Sequence, residues 1–371
     1  MFNDPRTTTI SLTAVENIRE AITPLFTTDD TTLDWPEPGH FRLRGRFLRD
    51  TADCYDDLRL IFEQHGFTPM IRQGDSSPNL IGLPHVFNPP ASNWTINLIL
   101  LIVTIISTMY VAALGETGDY GTALAQIWRG LPFSLSIMVI LGAHELGHYF
   151  AARHHRVPVT LPYFIPMPFS IIGTMGAFIQ LKAPVKNKRA LFDVGAAGPL
   201  AGMAFALPIL LYGLSTSPVG PMPSVPYMLE GNSILYAAAK ILMLGQMLPA
   251  NGLDVSLNQI AWAGWVGLLV TGLNLIPVGQ LDGGHVSYVF FGERAKQFFW
   301  PVIVALALLT ALTGTLMWLF WIFLLFFFGR VYAVPLDDVT PLDPRRRWLA
   351  IFTLVLFFLV FSPIPFQFIT P

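Results

Sequence analysis

The chain has 371 residues, 53% of them hydrophobic and only 12% charged, against about 25% charged in an ordinary soluble domain. A deficit this deep excludes a soluble globular protein, and a net charge of −2 excludes the basic field that holds a nucleic-acid backbone. The single cysteine, Cys54, excludes an internal disulfide and any CxxC site, so a metal here must be held by His, Asp or Glu.

The charges are unevenly spread. Up to Asp75 there are 13 acids and 8 bases, 21 of the 46 in the chain. Residues 1–86 therefore read as a small soluble α/β domain with a regulatory or docking role. Its N-terminus lacks the apolar core and small-residue cleavage site of a secretory signal, which predicts a cytosolic domain. His40 to Phe47 alternates as a strand, Thr51 to His65 is an amphipathic helix, and Phe67 to Ile71 and Asn79 to Leu83 are short strands. Residues 87–92 form a linker in which Pro89 and Pro90 stop any helix.

Residues 93–371 form a membrane-embedded domain. Apolar runs long enough to cross roughly 30 Å of hydrocarbon lie near 94–114, 132–152, 192–213, 258–280, 297–312, 315–331 and 348–363. The expected fold is thus a multi-span α-helical membrane protein with about seven spans. The uncharged stretch from Gln297 to Gly329 is long for one span and short for two, with a turn offered by Thr313-Gly314-Thr315. If the loops alternate, twelve bases fall on one face of the membrane, from Arg153 to Arg347, against only Arg129 and Lys240 on the other. The positive-inside rule puts that richer face and the N-terminus in the cytosol, as in a multi-pass protein of the cell membrane. Ile234 to Leu248 reads as an interfacial helix. Trp262, Trp265, Trp318 and Trp321 are expected in aromatic belts.

In the second span stands His144-Glu145-Leu146-Gly147-His148. On a helix, positions 144 and 148 lie one turn apart on one face, the arrangement two zinc ligands need, while Glu145 is turned about 100° away, within reach of a metal-bound water. A carboxylate at membrane depth is costly unless it is paired or faces a cavity, so three ionisable groups within five residues call for a function.

A hydrolytic zinc site keeps three protein ligands. Asp282 is the acid that stands at the end of an apolar span, in Asn274-Leu-Ile-Pro277-Val-Gly279-Gln-Leu-Asp282-Gly-Gly-His285, where Pro277 and the glycines bar a regular helix. Irregular backbone at that depth must line protein or a wet cavity. His285 is a second candidate ligand, though its position three residues on predicts that it faces the cytosolic loop.

HELGH in one apolar helix and NLIPVGQLDGG at the end of another resemble the site-2 protease family of intramembrane zinc metalloproteases. The likeness covers roughly residues 93–285. Phe192-Asp193-Val-Gly195-Ala-Ala-Gly198-Pro-Leu-Ala-Gly202 is similar to the Gly-rich packing segment of the family's middle core helix. No PDZ-like segment is visible, as in the chloroplast and cyanobacterial branch. The resemblance implies a three-helix protease core at about 131–285, one catalytic zinc ion held by His144, His148 and Asp282, Glu145 as general base and then acid, and Asn274 as a donor to the oxyanion.

Val159 to Ala183 is apolar but broken by Pro162, Pro166 and Pro168. It predicts a re-entrant β-hairpin with strands near 159–167 and 174–182, whose free edge could hold an unwound substrate by strand addition. The expected function is hydrolysis of peptide bonds in or near transmembrane segments, with a transmembrane protein as substrate, the lipid bilayer as surroundings and no nucleic acid. The alternative is a metal-binding transporter or a protease-like protein that binds clients without cutting them. Asp337, Asp338 and Asp343, in a cytosolic loop, could gate the metal.

Overall fold

The structure, a computed structural model, describes residues 10–74, 77–90 and 92–370 and divides into two compact units. The first holds the described residues up to Pro90 together with Lys182–Leu191 and Val334–Asp343. Its elements are α1 (Leu12–Ala21), β1 (Phe26–Leu33), β2 (Phe41–Phe47), α2 (Thr51–Gln64), β3 (Thr68–Arg72) and β4 (Asn79–Leu83). The strands form one antiparallel sheet in the order β1-β2-β4-β3.

The periodic segments of the sequence became β2, α2, β3 and β4. α1, though as amphipathic as α2 and burying Val15 and Ile18, and the polar β1 are additions to that reading. β1 is FTTDDTTL, and its partners on β2 are arginines: Arg44 bonds Asp30 at 2.9 Å and Arg42 bonds Thr32 at 2.9 Å. The core of this unit is aromatic, with Phe41 stacked on Phe62 and edge-on to Phe67 above Leu58, Ile71 and Leu80. Cys54 is buried there, and burial pushes its thiol up to about 11, so the thiolate that reactivity requires is absent at neutral pH.

That core is completed from far along the chain. Leu336 is buried in it, and its carbonyl accepts the Ile71 amide at 2.8 Å, while the Asp338 amide donates to Ile71 O at 3.2 Å. On the other side, the amides of Leu336 and Asp337 donate to Val185 O and Lys186 O. The Arg72 guanidinium donates to the carbonyls of Pro335 and Leu336. Asp337 is fully buried; its carboxylate accepts the amides of Val339 and Thr340 and the Thr340 hydroxyl. The acceptor capacity of Asp337 is thus spent holding the loop's own turn. Leu336→Ala removes side-chain volume that the N-terminal segment cannot replace and is expected to cost about 2–4 kcal/mol locally. Limited proteolysis of the full chain should then show nicking within residues 10–90 rising about tenfold or more.

The second unit holds Ser92–Leu181, Phe192–Ala333 and the chain from Pro344 onward. α3 (Trp94–Thr117) is opened by the Asn93 side chain, which accepts the Thr95 amide, and ends at Gly118 in the left-handed conformation. Then follow α4 (Tyr120–Ala125), α5 (Leu131–His154), the hairpin β5 (Tyr163–Pro166) and β6 (Thr174–Phe178), and α6 (Lys188–Ser215), which starts in the first unit. Beyond them lie β7 (Val219–Pro221), β8 (Tyr227–Glu230), α7 (Ile234–Leu244), β9 (Leu253–Val255), α8 (Gln259–Asn274), α9 (Asp282–Phe291), α10 (Phe299–Thr313), α11 (Met317–Phe328), α12 (Pro344–Val360) and β10 (Phe366–Ile369). β7 pairs with β9, and β8 with β10, both antiparallel.

Four helical stretches among the described residues are long and apolar enough to cross a membrane: Trp94–Thr117, Ile127–His154, Lys188–Ser215 and Asp282–Thr313. The stretch expected near 258–280 stops earlier. α8 ends at Asn274, and residues 275–281 are irregular around Pro277 and a left-handed Gly279, so the chain breaks six residues sooner than its hydropathy suggested. Between Gln297 and Gly329 lie two helices, parted at Gly314, whose left-handed backbone ends α10. The hairpin strands are shorter than expected because prolines withhold ladder donors; outside them an isolated bridge joins Val159 to Leu181, and the Met167 amide donates to Gly173 O. Trp265 and Trp318 are buried rather than in a belt, and their indole N–H groups donate to Gly231 O and Pro363 O.

Candidate metal centre

α5 presents His144 and His148 to the interior of the second unit, both buried, with Glu145 buried beside them. The broken segment after α8 delivers Asp282 as the first residue of α9. His144 Nε2 lies 3.2 Å from Asp282 Oδ2, His148 Nε2 3.3 Å from Asp282 Oδ1, and the two Nε2 atoms are 3.1 Å apart. One ligand atom from each of the three residues falls within 4.8 Å of the others. Asn274, the last residue of α8, brings Nδ2 to 3.3 Å from His144 Nε2. All five residues named from the sequence are thus at one point.

The donor set suits a divalent cation, with two imidazole nitrogens and a carboxylate, and the surroundings prepare it. His148 Nδ1 donates to the Val194 carbonyl at 2.6 Å, which fixes the tautomer that leaves Nε2 free to coordinate. α6 supplies the opposite wall through glycines at helical spacing. A Cβ on Gly198 would lie 2.0 Å from His148 Nε2, and one on Gly202 would lie 3.2 Å from the Cβ and Nδ1 of His144. The sequence suggested that these glycines serve close helix packing; they make room for the imidazoles.

The same turn of α6 is anchored by charge. Asp193 accepts from His155 Nε2 at 2.7 Å, at the end of α5, and from Arg346 Nε and Nη2 at 2.8 and 2.6 Å, on α12. A bidentate arginine pair is geometrically demanding. It holds the residue next to Val194, and so the carbonyl that orients His148. Nothing in the spacing of residues 155, 193 and 346 announces this contact.

His285 is the clearest correction. The sequence placed it toward the cytosolic loop, yet it lines the cavity with His144, Glu145, His148 and Asp282. The physical reason is that α9 begins at Asp282, so position 285 is one turn along on the same face. Its Nδ1 is buried without a hydrogen-bond partner, and it packs on Gly195 of α6. The cavity, about 230 Å³, is closed on another side by Ala177 and Phe178 of β6 and by Ile179 and Leu181 just beyond it.

Histidines one turn apart on an apolar helix, with a glutamate beside them and a distant carboxylate brought in by a broken helix, mark the class of HExxH metallopeptidase centres set in a helical bundle. The comparisons agree. Residues 132–312 match peptidase family M50, and the chain carries a domain of this family, to which the site-2 proteases belong.

Among curated proteins, it is 35% identical over 243 residues to the probable zinc metalloprotease EGY2, chloroplastic, of Arabidopsis thaliana, covering 64% of this chain and 43% of that protein. It is 31% identical over 277 residues to the protein of the same name from Oryza sativa subsp. indica, covering 73% and 47%. To the probable zinc metalloprotease EGY1, chloroplastic, of Oryza sativa subsp. japonica it is 31% identical over 256 residues, covering 68% and 44%. The resemblance to the chloroplast-like branch is therefore borne out, and the chain spans less than half the length of these relatives. No solved structure matches it.

Gly198→Ala is expected to push the His148 ring out of line. Bound divalent metal, measured by elemental analysis of the purified protein, should fall from about one per chain to less than about a tenth, while helical content by circular dichroism stays the same.

Proposed function

We propose that the chain is an intramembrane zinc metalloendopeptidase that hydrolyses peptide bonds in or near the transmembrane segments of other membrane proteins. The observation that carries the reading is the convergence of His144, His148 and Asp282 within 4.8 Å, beside a buried glutamate and a strand edge. The names of the relatives support zinc as the metal. His144, His148 and Asp282 would hold it, and when bound it supplies Lewis acidity that activates water at neutral pH.

The chain's own residues do the remaining work. Glu145 takes a proton from the attacking water and returns it to the leaving amine. Asn274 donates its amide to the carbonyl oxygen as negative charge develops there. Asp282 and the Val194 carbonyl hold the two imidazoles in place. A helical substrate hides every amide in an i to i−4 bond, so it must be unwound, and the β6 edge beside Glu145 takes the extended segment by strand addition.

The reading extends to seven crossings, with a soluble N-terminal domain on the cytosolic side, the active site opening toward that face, and the cell membrane as location. Twelve bases against two on alternating loops support that orientation.

Glu145→Gln is expected to keep about one zinc per chain and to lower cleavage of a helix-destabilised transmembrane peptide by roughly 10²–10⁴-fold. Metal-dependent ion flux without proteolysis in the parent chain would sink the reading. Ala177→Pro, in β6, should cripple cleavage yet retain zinc; full activity would remove the strand-addition step.

A further inference from the structure

A second and larger cavity, about 840 Å³, lies in the same unit away from the metal ligands. Its walls come from the second half of α3 (Tyr110 to Glu116), the start of α5 (Phe133), the start of α8 (Gln259, Trp262) and the hairpin turn Pro168–Ile171. Most of this lining is apolar. At one end, the Glu116 carboxylate accepts from Gln259 Nε2 at 2.6 Å and pairs with Arg129 at 3.2 Å.

The hairpin turn is seated firmly on α3. Ser107 Oγ donates to Gly173 O at 2.6 Å, and a Cβ on Gly173 would lie 2.7 Å from the Thr108 backbone. Phe169, at the tip, is 99% exposed, so its ring has no packing partner among the described residues.

The two cavities share one element. Ile171 stands in the wall of the large one; from Thr174 the chain runs as β6, and Ala177 to Leu181 wall the metal cavity. Their spacing can be measured along the helices. Phe133 and His144 are eleven residues apart on α5, about 16 Å at 1.5 Å per residue. From Thr174 to Phe178 β6 spans about 14 Å when extended. β6 thus runs between the two cavities, its Thr174 end following the hairpin turn that walls the large one and its Phe178 end lining the metal cavity.

We propose that this cavity seats the helical remainder of the substrate's transmembrane segment, so that the helix-to-strand junction forms at the hairpin turn. The physical need is plain. Only the residues around the scissile bond must be extended; the rest of an apolar segment keeps its backbone groups paired by staying helical, and its apolar side chains match an apolar seat. An apolar seat at the turn covers that junction and sets how far along the segment the cut falls. This inference rests on the proteolytic reading above.

The test uses the full chain carrying Glu145→Gln in phosphatidylcholine vesicles. Its probe is a synthetic apolar peptide of about 20 residues with a central helix-breaking pair. A photoreactive benzophenone residue is placed in turn at Ile171, at Phe178 and at the exposed Phe358 of α12. Peptide adducts at Ile171 and Phe178 at least about tenfold above those at Phe358 are expected. Peptide adducts at Phe178 with only lipid adducts at Ile171 would overturn the assignment of the cavity and leave the proteolytic reading standing. No peptide adduct at either position, with no cleavage by the parent chain, would take down both.

A kinetic measurement stands beside it. Gly115 lines the cavity, and a Cβ there meets no atom within 4 Å, so the position admits a side chain, and Gly115→Trp in the otherwise unaltered chain sets an indole at the cavity wall. The KM for the peptide should rise about fivefold or more with kcat changed less than about twofold. A fall in kcat at unchanged KM would overturn the proposal.

Discussion

The structure of the second unit turns on one electrostatic constraint. An ionisable group placed deep among apolar helices is costly unless it is paired, and here two imidazoles, two carboxylates and an asparagine amide occupy one small volume. His144, His148 and Asp282 each meet an opposite or complementary partner at 2.6–3.3 Å. The cluster is therefore tolerable only as a set. Everything nearby serves the set: a broken helix delivers Asp282, a glycine face makes room, and a backbone carbonyl orients His148.

α6 links these demands. Its glycines at 195, 198 and 202 lie along one face, and each faces a histidine. Its Asp193 is held by His155, just past the end of α5, and by Arg346 of α12. A helix packed this closely has little freedom to slide, because backbone stands where side chains would otherwise yield. The energy that fixes the site is thus spread over steric exclusion and a charge pair rather than stored in the ligands alone. The hairpin completes the enclosure, with prolines that keep it from becoming a helix and a turn pinned to α3 through Ser107 and Gly173.

The first unit follows different rules. It is a small sheet and two helices around an aromatic core, and a domain of that size has little surface to bury. Leu336 and the backbone of residues 335–338 supply what the N-terminal segment lacks, docking beside β3 with paired amides and carbonyls. A loop between hydrophobic helices can take that role because its polar backbone is satisfied by the sheet edge.

Much was legible beforehand. HELGH fixes two rings and a glutamate by helical periodicity alone, and the uncharged runs announce helices in lipid, because local geometry and hydropathy are short-range properties of the chain. What tertiary structure alone decided is where distant segments meet. Asp282 and His285 came to share a wall because α9 starts at 282. The glycines of α6 proved to face imidazoles. Asp193 found an arginine more than 150 residues away, and Leu336 joined a core made of residues before 90. Periodicity states which face a side chain takes on its own element; only packing states what stands opposite.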